Sequence, residues 1–424
     1  MNVLALRLRL RTGRSGLLAN GAAFADQVLF AFGMFALNVL LARWLEPAAY
    51  GAFALAFVVF LLLGNFHTAV LTEPMLIHGS GKYRRQLPAY FGRLLLGHAA
   101  LSLTIAAALG VAAVVASAAG SETLAGAFAG LAFAAPGLLL LWLARRVFYV
   151  TGEHLRAVAG DLLFLAVMLG GLAALHEWSD VTAGLGFAVA GVAGLVAGLA
   201  LVAVVRPSFR AVDPPPRSVL RDHWEYGRWS VTAQALLWTS GQIVLVLVPL
   251  VLGLHEAGVV AAVLNLFRPL HPIQQSAIAV LLPGASALAA AGAGRAAIAR
   301  YIRRALLPLT AAIVLYGAVL AVLAEQVMRH LYLGRYGDER LLIVLVAAVY
   351  ALATTVQAQT VLLKATGNVK SVPLVFAASA AVTLAFSVPA MLVANAEGAL
   401  AVFAASYVVA AFVAARRARK VLPA

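Results

Sequence analysis

The stretch GLLANGAAFADQVLFAFGMFALNVLLAR, residues 16–43, determines how the rest of the sequence is interpreted. Its only charged side chains are Asp26 and Arg43, and it is longer than the roughly 20 apolar residues that cross a bilayer as a helix. It is also longer than the apolar core of a secretory signal peptide, and no A-x-A cleavage site followed by a polar mature sequence is present. The sequence therefore predicts that this stretch is the first of several membrane helices.

The composition of the whole chain agrees with a membrane protein. Of its 424 residues, 63% are hydrophobic and only 11% are charged, whereas soluble domains carry about 25% charged residues. A water-soluble fold could not bury so much apolar surface, so lipid is the expected solvent. The chain contains no cysteine, which excludes disulfides, thiolate metal sites and a cysteine nucleophile.

Twelve stretches have the length and apolarity of a membrane helix. They are predicted at residues 16–43, 48–72, 87–117, 123–144, 157–175, 181–205, 229–252, 256–290, 301–324, 341–363, 371–394 and 398–415. The expected fold class is an all-α polytopic membrane protein of about 12 transmembrane helices, in two similar six-helix bundles with a central cleft.

The basic residues predict the orientation of these helices. The chain has 31 Lys and Arg residues and a formal net charge of +15, and most of these residues fall in alternate loops, including Arg145 and Arg146 after the fourth stretch. Because basic loops stay in the cytoplasm, we expect a multi-pass protein of the bacterial inner membrane with both termini cytoplasmic. Short basic clusters between apolar runs also argue against nucleic acid as a partner.

The two halves of the chain resemble each other weakly in sequence. The matching segments are residues 45–54 with 252–261, 89–96 with 300–307, and 150–153 with 365–368. They occur in the same order and at corresponding loops. The longest loop, with the proline run 214–216, lies between the halves. We therefore predict an N-lobe at 1–210 with helices 1–6, a cytoplasmic linker at 211–228, and a C-lobe at 229–424 with helices 7–12, related by an axis along the membrane normal.

Two short motifs carry a family resemblance. They are LARWLEPAAYG at residues 41–51, after the first helix, and VTG at residues 150–152, after the fourth. In these motifs and over nearly its whole length, the chain resembles the polysaccharide (O-antigen type) flippases of the multidrug/oligosaccharidyl-lipid/polysaccharide exporter superfamily. The resemblance implies transport of an undecaprenyl-pyrophosphate-linked oligosaccharide across the inner membrane by alternating access, in polysaccharide and exopolysaccharide biosynthesis. It implies as partners the lipid-linked oligosaccharide, membrane lipid and other polysaccharide assembly proteins.

Polar side chains inside the spans are the candidates for binding a substrate, since a charge at the bilayer centre costs about 2.5–3.5 kcal/mol on insertion scales. Arg268 lies near the middle of the eighth stretch, where Pro269 and Pro272 predict a kink. It could hold a pyrophosphate, with Asp26 restraining it when the site is empty. The alternative is a structural ion pair between Asp26 and Arg268. The predicted substrate-binding set is Asp26, Gln234, Gln242, Asn265, Arg268 and Gln274.

Other intramembrane residues have simpler explanations. Glu73, His67 and Asp161 are more readily explained by snorkelling or by pairing with loop arginines. Glycines 191, 194 and 198 of the sixth helix are predicted to serve helix packing. A phosphate loop of the type G-x-x-x-x-G-K-[ST] and a cluster of metal ligands are missing from the sequence, so we expect no cofactor, no metal site and no enzymatic activity.

Three other functions compete with the flippase. An ion-coupled antiporter of small molecules or drugs would need an acidic cavity, and only Asp26 is well placed for one. A major-facilitator carrier would usually carry an Asp-Arg pair in the loop between helices two and three, where residues 79–85 have bases without the acid. A non-transporting scaffold of a polysaccharide assembly complex is also compatible with the sequence.

Overall fold

The computed structural model describes residues 14–209, 216–337, 339–366 and 368–421, and these residues form helices, turns and loops without a strand. Several predicted features lie outside them: the basic residues Arg7, Arg9 and Arg11, the first two prolines of the 214–216 run, and Gly367 of the third repeat match. An all-helical fold is what lipid imposes on an apolar chain, because a helix satisfies its own backbone hydrogen bonds.

The helices follow the predicted stretches closely. Those of the first half are α1 (Arg14–Trp44), α2 (Pro47–His67), α3 (Glu73–Ser80), α4 (Leu87–Ala118), α5 (Glu122–Thr151), α6 (His154–Trp178) and α7 (Ala183–Val205). Those of the second half are α8 (Pro216–Val251), α9 (Leu254–Phe267), α10 (Leu270–Ala290), α11 (Arg295–Val322), α12 (Ala324–Tyr332), α13 (Arg340–Ala365) and α14 (Val372–Val421). Each predicted stretch coincides with one helix, with part of one, or with two helices in series.

The helical path is interrupted within the second and the eighth predicted spans, and between the eleventh and the twelfth. A π-helical turn, Thr68–Thr72, joins α2 to α3. The predicted eighth span consists of α9 and α10, with a break at Arg268 and Pro269. The helix α14 contains non-helical backbone at Ala394 and Asn395, so it consists of two helices that correspond to the eleventh and twelfth predicted stretches.

The described helices have the properties of a polytopic membrane protein. Eight of them are long and apolar enough to cross a bilayer, and the two parts of α8, bent by 50°, make a ninth span if they are counted together. Two shorter apolar helices are the part Val28–Trp44 of α1 and the whole of α9. The predicted all-α polytopic membrane fold is therefore confirmed.

Two predicted boundaries are wrong. The helix α5 continues to Thr151 instead of ending at residue 144, so Arg145 and Arg146 lie in a helix and not in a loop. The helix α8 begins at Pro216 instead of residue 229, so the described part of the predicted linker is helical. Proline is well tolerated as the first residue of a helix because its missing N–H has no partner there in any case.

Contacts divide the chain into two compact units. The first unit comprises the described residues of 1–37 and 59–234, and the second comprises those of 38–58 and 235–424. Residues 38–58, the end of α1 and the first part of α2, thus group with the second half of the sequence. The arrangement of two lobes at 1–210 and 229–424 in the membrane stays a prediction.

In the first unit, α5 and α7 approach each other through glycine. A Cβ atom on Gly130 would overlap the backbone of Gly184, and one on Gly137 would overlap the carbonyl oxygen of Gly191. Gly194 faces the backbone of Gly137 in the same way, and Gly198 faces the side chain of Leu140 and the backbone nitrogen of Leu141. Small residues allow backbones to pack this closely in lipid, so the predicted packing role of the glycines in the sixth span is confirmed.

In the second unit, the starts of α2 and α9 meet in a reciprocal contact. A Cβ atom on Gly51 would overlap the carbonyl oxygen of Leu254, and a Cβ atom on Gly258 would overlap that of Pro47. Gly51 corresponds to Gly258, and Pro47 to Leu254, in the sequence match between 45–54 and 252–261. Equivalent residues of the two segments therefore meet about a local two-fold axis, and this supports the internal repeat.

Alanine at Gly51 or Gly258 should destabilise the protein. The new Cβ would force the backbones of α2 and α9 apart, and overpacking of this kind costs about 1–3 kcal/mol. Gly110 of α4 is the matched control, because a Cβ atom added there would meet no described atom within 4 Å. We expect a lower thermal unfolding midpoint for Gly51→Ala and Gly258→Ala than for the parent protein. Gly110→Ala should have a thermal unfolding midpoint equal to or above that of the parent protein. Equal midpoints for all three variants would contradict the close contact between the backbones of α2 and α9.

Candidate functional site

Arg268 lies where the helical path of the eighth span is interrupted. The helix α9 ends at Phe267 and α10 begins at Leu270, with Pro269 between them. The backbone continues through a tighter turn, in which the N–H of Arg268 donates to the carbonyl of Asn265 at 3.2 Å and the N–H of His271 donates to the carbonyl of Arg268 at 3.1 Å. Proline cannot donate the regular helical hydrogen bond, which accounts for this interruption. The predicted kink stays a prediction.

The guanidinium of Arg268 lies against an aromatic ring and beside an apolar pocket. Its central carbon is 5.3 Å from the centre of the Phe57 ring, and the side chain is half-buried. A small pocket of the second unit is lined by Arg268 together with residues of α2, α8 and α9: Ala54, Leu55, Val58, Leu245, Val248, Ala257, Val260, Ala261 and Leu264. None of the ion pairs between described residues includes Arg268. The guanidinium thus has an aromatic ring on one side and no carboxylate partner among the described residues.

A layer of polar side chains lies one turn before Arg268. Asn265 is fully buried and its Nδ2 lies 3.5 Å from the hydroxyl of Tyr332, which donates to the carbonyl of Ala262 at 3.0 Å. The Oδ1 atom of Asn265 is buried without a hydrogen-bond partner among the described residues. Asn265 therefore keeps one unused acceptor close to the break, whereas its amide nitrogen is directed to Tyr332.

The three predicted glutamines lie in different surroundings. Gln274 is buried on α10 and donates to the hydroxyl of Thr354 at 2.7 Å, which ties α10 to α13. Gln242 is half-buried on the part of α8 that belongs to the second unit. Gln234 belongs to the first unit and donates to the carboxylate of Glu73 at 3.1 Å, where Ser230 also donates. Gln274 and Gln234 thus make structural hydrogen bonds, and a role of any glutamine in binding a substrate stays a prediction.

Asp26 is paired within the first unit, and its partner is not Arg268. Its carboxylate accepts from Arg145 Nη2 at 2.6 Å and from the hydroxyl of Tyr149 at 2.5 Å. Asp161 lies 2.9 Å from Nε of the same arginine, and both carboxylates are fully buried. The expected Asp26–Arg268 ion pair is therefore wrong. One guanidinium instead neutralises part of the charge of two buried carboxylates, and the pairing of Asp161 with an arginine is confirmed.

Arg145 is the partner of Asp26 that the sequence did not predict. The predicted fourth span ended one residue before it, which placed Arg145 in a cytoplasmic loop. The spacing of Arg145 and Tyr149 by four residues puts both side chains on one face of a continued helix, and Asp26 bonds to both of them. Its guanidinium also lies over the ring of Phe30, 4.6 Å from the centroid. The regular spacing of Arg145 and Tyr149 was the available signal.

No protein-family model matches this sequence, and no curated protein matches it. Solved structures, by contrast, match it over nearly its whole length.

An inward-facing multidrug resistance MATE family transporter of the MOP superfamily has a TM-score of 0.72 and 13% identity, over 94% of this chain and 97% of that one. The lipid II flippase MurJ in an inward closed conformation has a TM-score of 0.65 and 10% identity, over 95% and 87% of the two chains. A MOP superfamily transporter from Pyrococcus furiosus, described by a reversed polarity of its binding pocket, has a TM-score of 0.59 and 13% identity, over 95% of each chain. At these identities the similarity concerns the fold, so this chain has the fold of the MOP superfamily transporters.

Removal of Arg145 should destabilise the first unit strongly. Arg145→Ala would leave Asp26 and Asp161 as uncompensated buried carboxylates, and breaking a buried ion pair in this way costs about 3–5 kcal/mol. The control is Arg156→Ala, because Arg156 pairs with Glu153 at the surface, where such a pair contributes about 0–1 kcal/mol. We expect Arg145→Ala to lose membrane abundance and Arg156→Ala to keep it. The triple variant Asp26→Asn, Arg145→Met and Asp161→Asn should recover part of the lost abundance. Normal abundance of Arg145→Ala alone would refute a stabilising role of the contacts among Asp26, Arg145 and Asp161.

Proposed function

We propose that this chain is a flippase that moves a lipid-linked oligosaccharide of the undecaprenyl-pyrophosphate type across the inner membrane by alternating access. Arg268 holds the pyrophosphate. The observation that carries the proposal is a half-buried guanidinium, inside a predicted span, for which the described residues supply no carboxylate. Placing a charged side chain within a membrane span costs free energy, and a ligand of opposite charge best explains why Arg268 is there.

Three carboxylates within the described spans already have partners, which disfavours a cationic substrate. Asp26 and Asp161 share Arg145, and Glu73 accepts hydrogen bonds from Ser230 and Gln234. A drug antiporter that binds cations would need one of these acids to exchange its partner for the drug. The charge pattern of the described spans, with acids paired and Arg268 open, suits an anion.

The surroundings of Arg268 suit a phosphate attached to a lipid. An arginine offers parallel N–H donors that match two phosphate oxygens, and its stacking on Phe57 would hold these donors in a fixed orientation. The adjoining pocket is lined by alanine, valine and leucine, apart from Arg268 itself. Apolar walls beside a single cation match the chemistry of a polyprenyl chain next to its pyrophosphate.

The fold is compatible with this substrate class and with its main rival. One solved structure of the fold is a lipid II flippase, and another is a multidrug resistance transporter. Similarity to the latter keeps an ion-coupled drug antiporter as the second candidate. The proposed mechanism also needs the lobes at 1–210 and 229–424 to move as bodies, and this is part of the proposal. A scaffold without transport activity would share the fold and show no translocation.

Arg268→Ala should abolish most of the transport without loss of protein. Loss of a hydrogen-bonded contact to a charged group, about 1.5–3 kcal/mol, corresponds to a transport rate about 10- to 100-fold lower at limiting substrate. Arg268→Lys should recover only part of this, because an ammonium keeps the charge and loses the paired donors. The measurement is translocation of a fluorescent undecaprenyl-pyrophosphate oligosaccharide in proteoliposomes, with membrane abundance as the second readout.

The matched control is Arg329→Ala, which removes an exposed arginine paired with Glu325 on α12. It should transport as the parent protein does. Parent-like transport by Arg268→Ala would reject the role of Arg268. Export of a cationic dye by the parent protein, with no movement of the lipid-linked oligosaccharide, would reject the flippase in favour of the antiporter.

A further inference from the structure

The first part of α8, residues 216–234, is a surface helix with two distinct faces. It belongs to the first unit, whereas the rest of α8 belongs to the second. On its inner face, the carboxylate of Asp222 accepts from Lys82 at 2.5 Å and from the hydroxyl of Tyr83 at 2.6 Å. These contacts attach the helix to the loop that follows α3.

Two further residues fix the rotation of this helix. The ring of His223 has its Nδ1 2.8 Å from the carbonyl of Val70 and its Nε2 2.6 Å from the hydroxyl of Tyr90. Gly227 lies against the π-helical turn, where an added Cβ would be 3.2 Å from the carbonyl oxygen of Ala69. With Asp222, His223 and Gly227 all directed inward, the opposite face of the helix must point away from the first unit.

That opposite face combines guanidinium groups with apolar side chains. Each residue that forms it lies three or four positions from another, which places them on one side of a helix. They are Arg217, Leu220, Arg221, Trp224 and Arg228, all exposed. Leu220 and Trp224 are 71% and 56% exposed, large values for apolar side chains. Trp229 lies beside this face, with the guanidinium of Arg228 5.4 Å from its ring centroid.

The charge of the face is positive. Glu225 is the acidic residue at its edge and pairs with Arg221 at 3.3 Å, and both side chains are exposed to solvent. Arg217 and Arg228 take part in no ion pair among the described residues. Two guanidinium groups are therefore available for an anion, and the third is held only by a surface ion pair, which is weak.

We propose that this face, which we call the Arg217–Arg228 face, binds the anionic phospholipid head groups of the cytoplasmic leaflet. Guanidinium groups bind phosphate in a bidentate manner, and tryptophan prefers the level of the head groups. A basic helix with tryptophan and leucine between its charges lies in the plane of the membrane interface and favours anionic lipid. The positive charge of the face, complementary to the phosphate groups, makes phospholipid the proposed ligand. From the sequence alone, these arginines could not be distinguished from those of other loops.

The test uses the full-length protein in vesicles of brominated phosphatidylglycerol and brominated phosphatidylcholine. Bromine quenches the fluorescence of tryptophans that touch the lipid, and the difference between the parent protein and Trp224→Phe isolates the signal of Trp224. The relative binding constant for phosphatidylglycerol over phosphatidylcholine follows from quenching at several lipid ratios. This readout does not depend on transport, so it can fail while the proposed function stands.

The test variant replaces all three arginines of the face by glutamine: Arg217→Gln, Arg221→Gln and Arg228→Gln. The control removes three exposed arginines at the start of α11: Arg300→Gln, Arg303→Gln and Arg304→Gln. Each arginine lost from the face should lower the preference for phosphatidylglycerol at Trp224 by about fivefold. The control should keep the preference of the parent protein, and Arg228→Lys, which keeps the charge, should keep most of it.

Three results would overturn the proposal. The parent protein would show no preference for phosphatidylglycerol, or the two triple variants would lose the preference to the same extent. In the third, a small amount of undecaprenyl phosphate would displace phosphatidylglycerol from Trp224, which would make the face a contact for the lipid carrier instead.

Discussion

The cost of placing a charge in lipid governs the polar interior of this protein. In the first unit, the buried charge of Arg145 is compensated by carboxylates, because its guanidinium lies between Asp26 and Asp161. These nearly inaccessible side chains join α1, α5 and α6. Arg268 differs, because its guanidinium lies against the Phe57 ring at a helix break and takes part in no ion pair with the residues that the structure describes. The position of one arginine is thus explained by its protein partners, whereas for the other we propose a ligand. Because of this contrast, we assign function to Arg268 and stability to Arg145.

The packing of the helices follows from the same solvent. Lipid gives apolar side chains no preference for one another, so close contact depends on small residues. Glycine supplies this contact between α5 and α7 in the first unit and between the starts of α2 and α9 in the second. The pair Gly51 and Gly258 is informative because the two residues are equivalent in the sequence repeat. Their reciprocal contact relates the motif after the first helix, which carried the family resemblance, to its counterpart in the second half.

Much of the fold could be predicted from the sequence because length and apolarity are local properties. All twelve predicted stretches coincide with helices, and the interruption of the helix beside Arg268 followed from Pro269. Helix boundaries outside the apolar core were harder to predict. The helix α5 continues, and α8 begins, in polar sequence of ordinary helix propensity, where apolarity no longer indicates the end of a helix. The partner of Asp26 could not be predicted, because Arg145 is 119 residues away and the pairing depends on how α1 and α5 pack. The sequence predicted a polar layer near Arg268, but not that Gln274 would bond to Thr354.

If Arg268 is the binding site for the pyrophosphate of a lipid carrier, its loss should remove binding of that carrier. Native mass spectrometry of the detergent-purified protein can count bound undecaprenyl pyrophosphate as its concentration rises, with undecaprenol as the uncharged comparison. We expect the parent protein to retain the pyrophosphate and not the alcohol. Arg268→Gln, expressed at normal abundance, should retain neither. Equal retention of the pyrophosphate by the parent protein and by Arg268→Gln would contradict a binding role for Arg268.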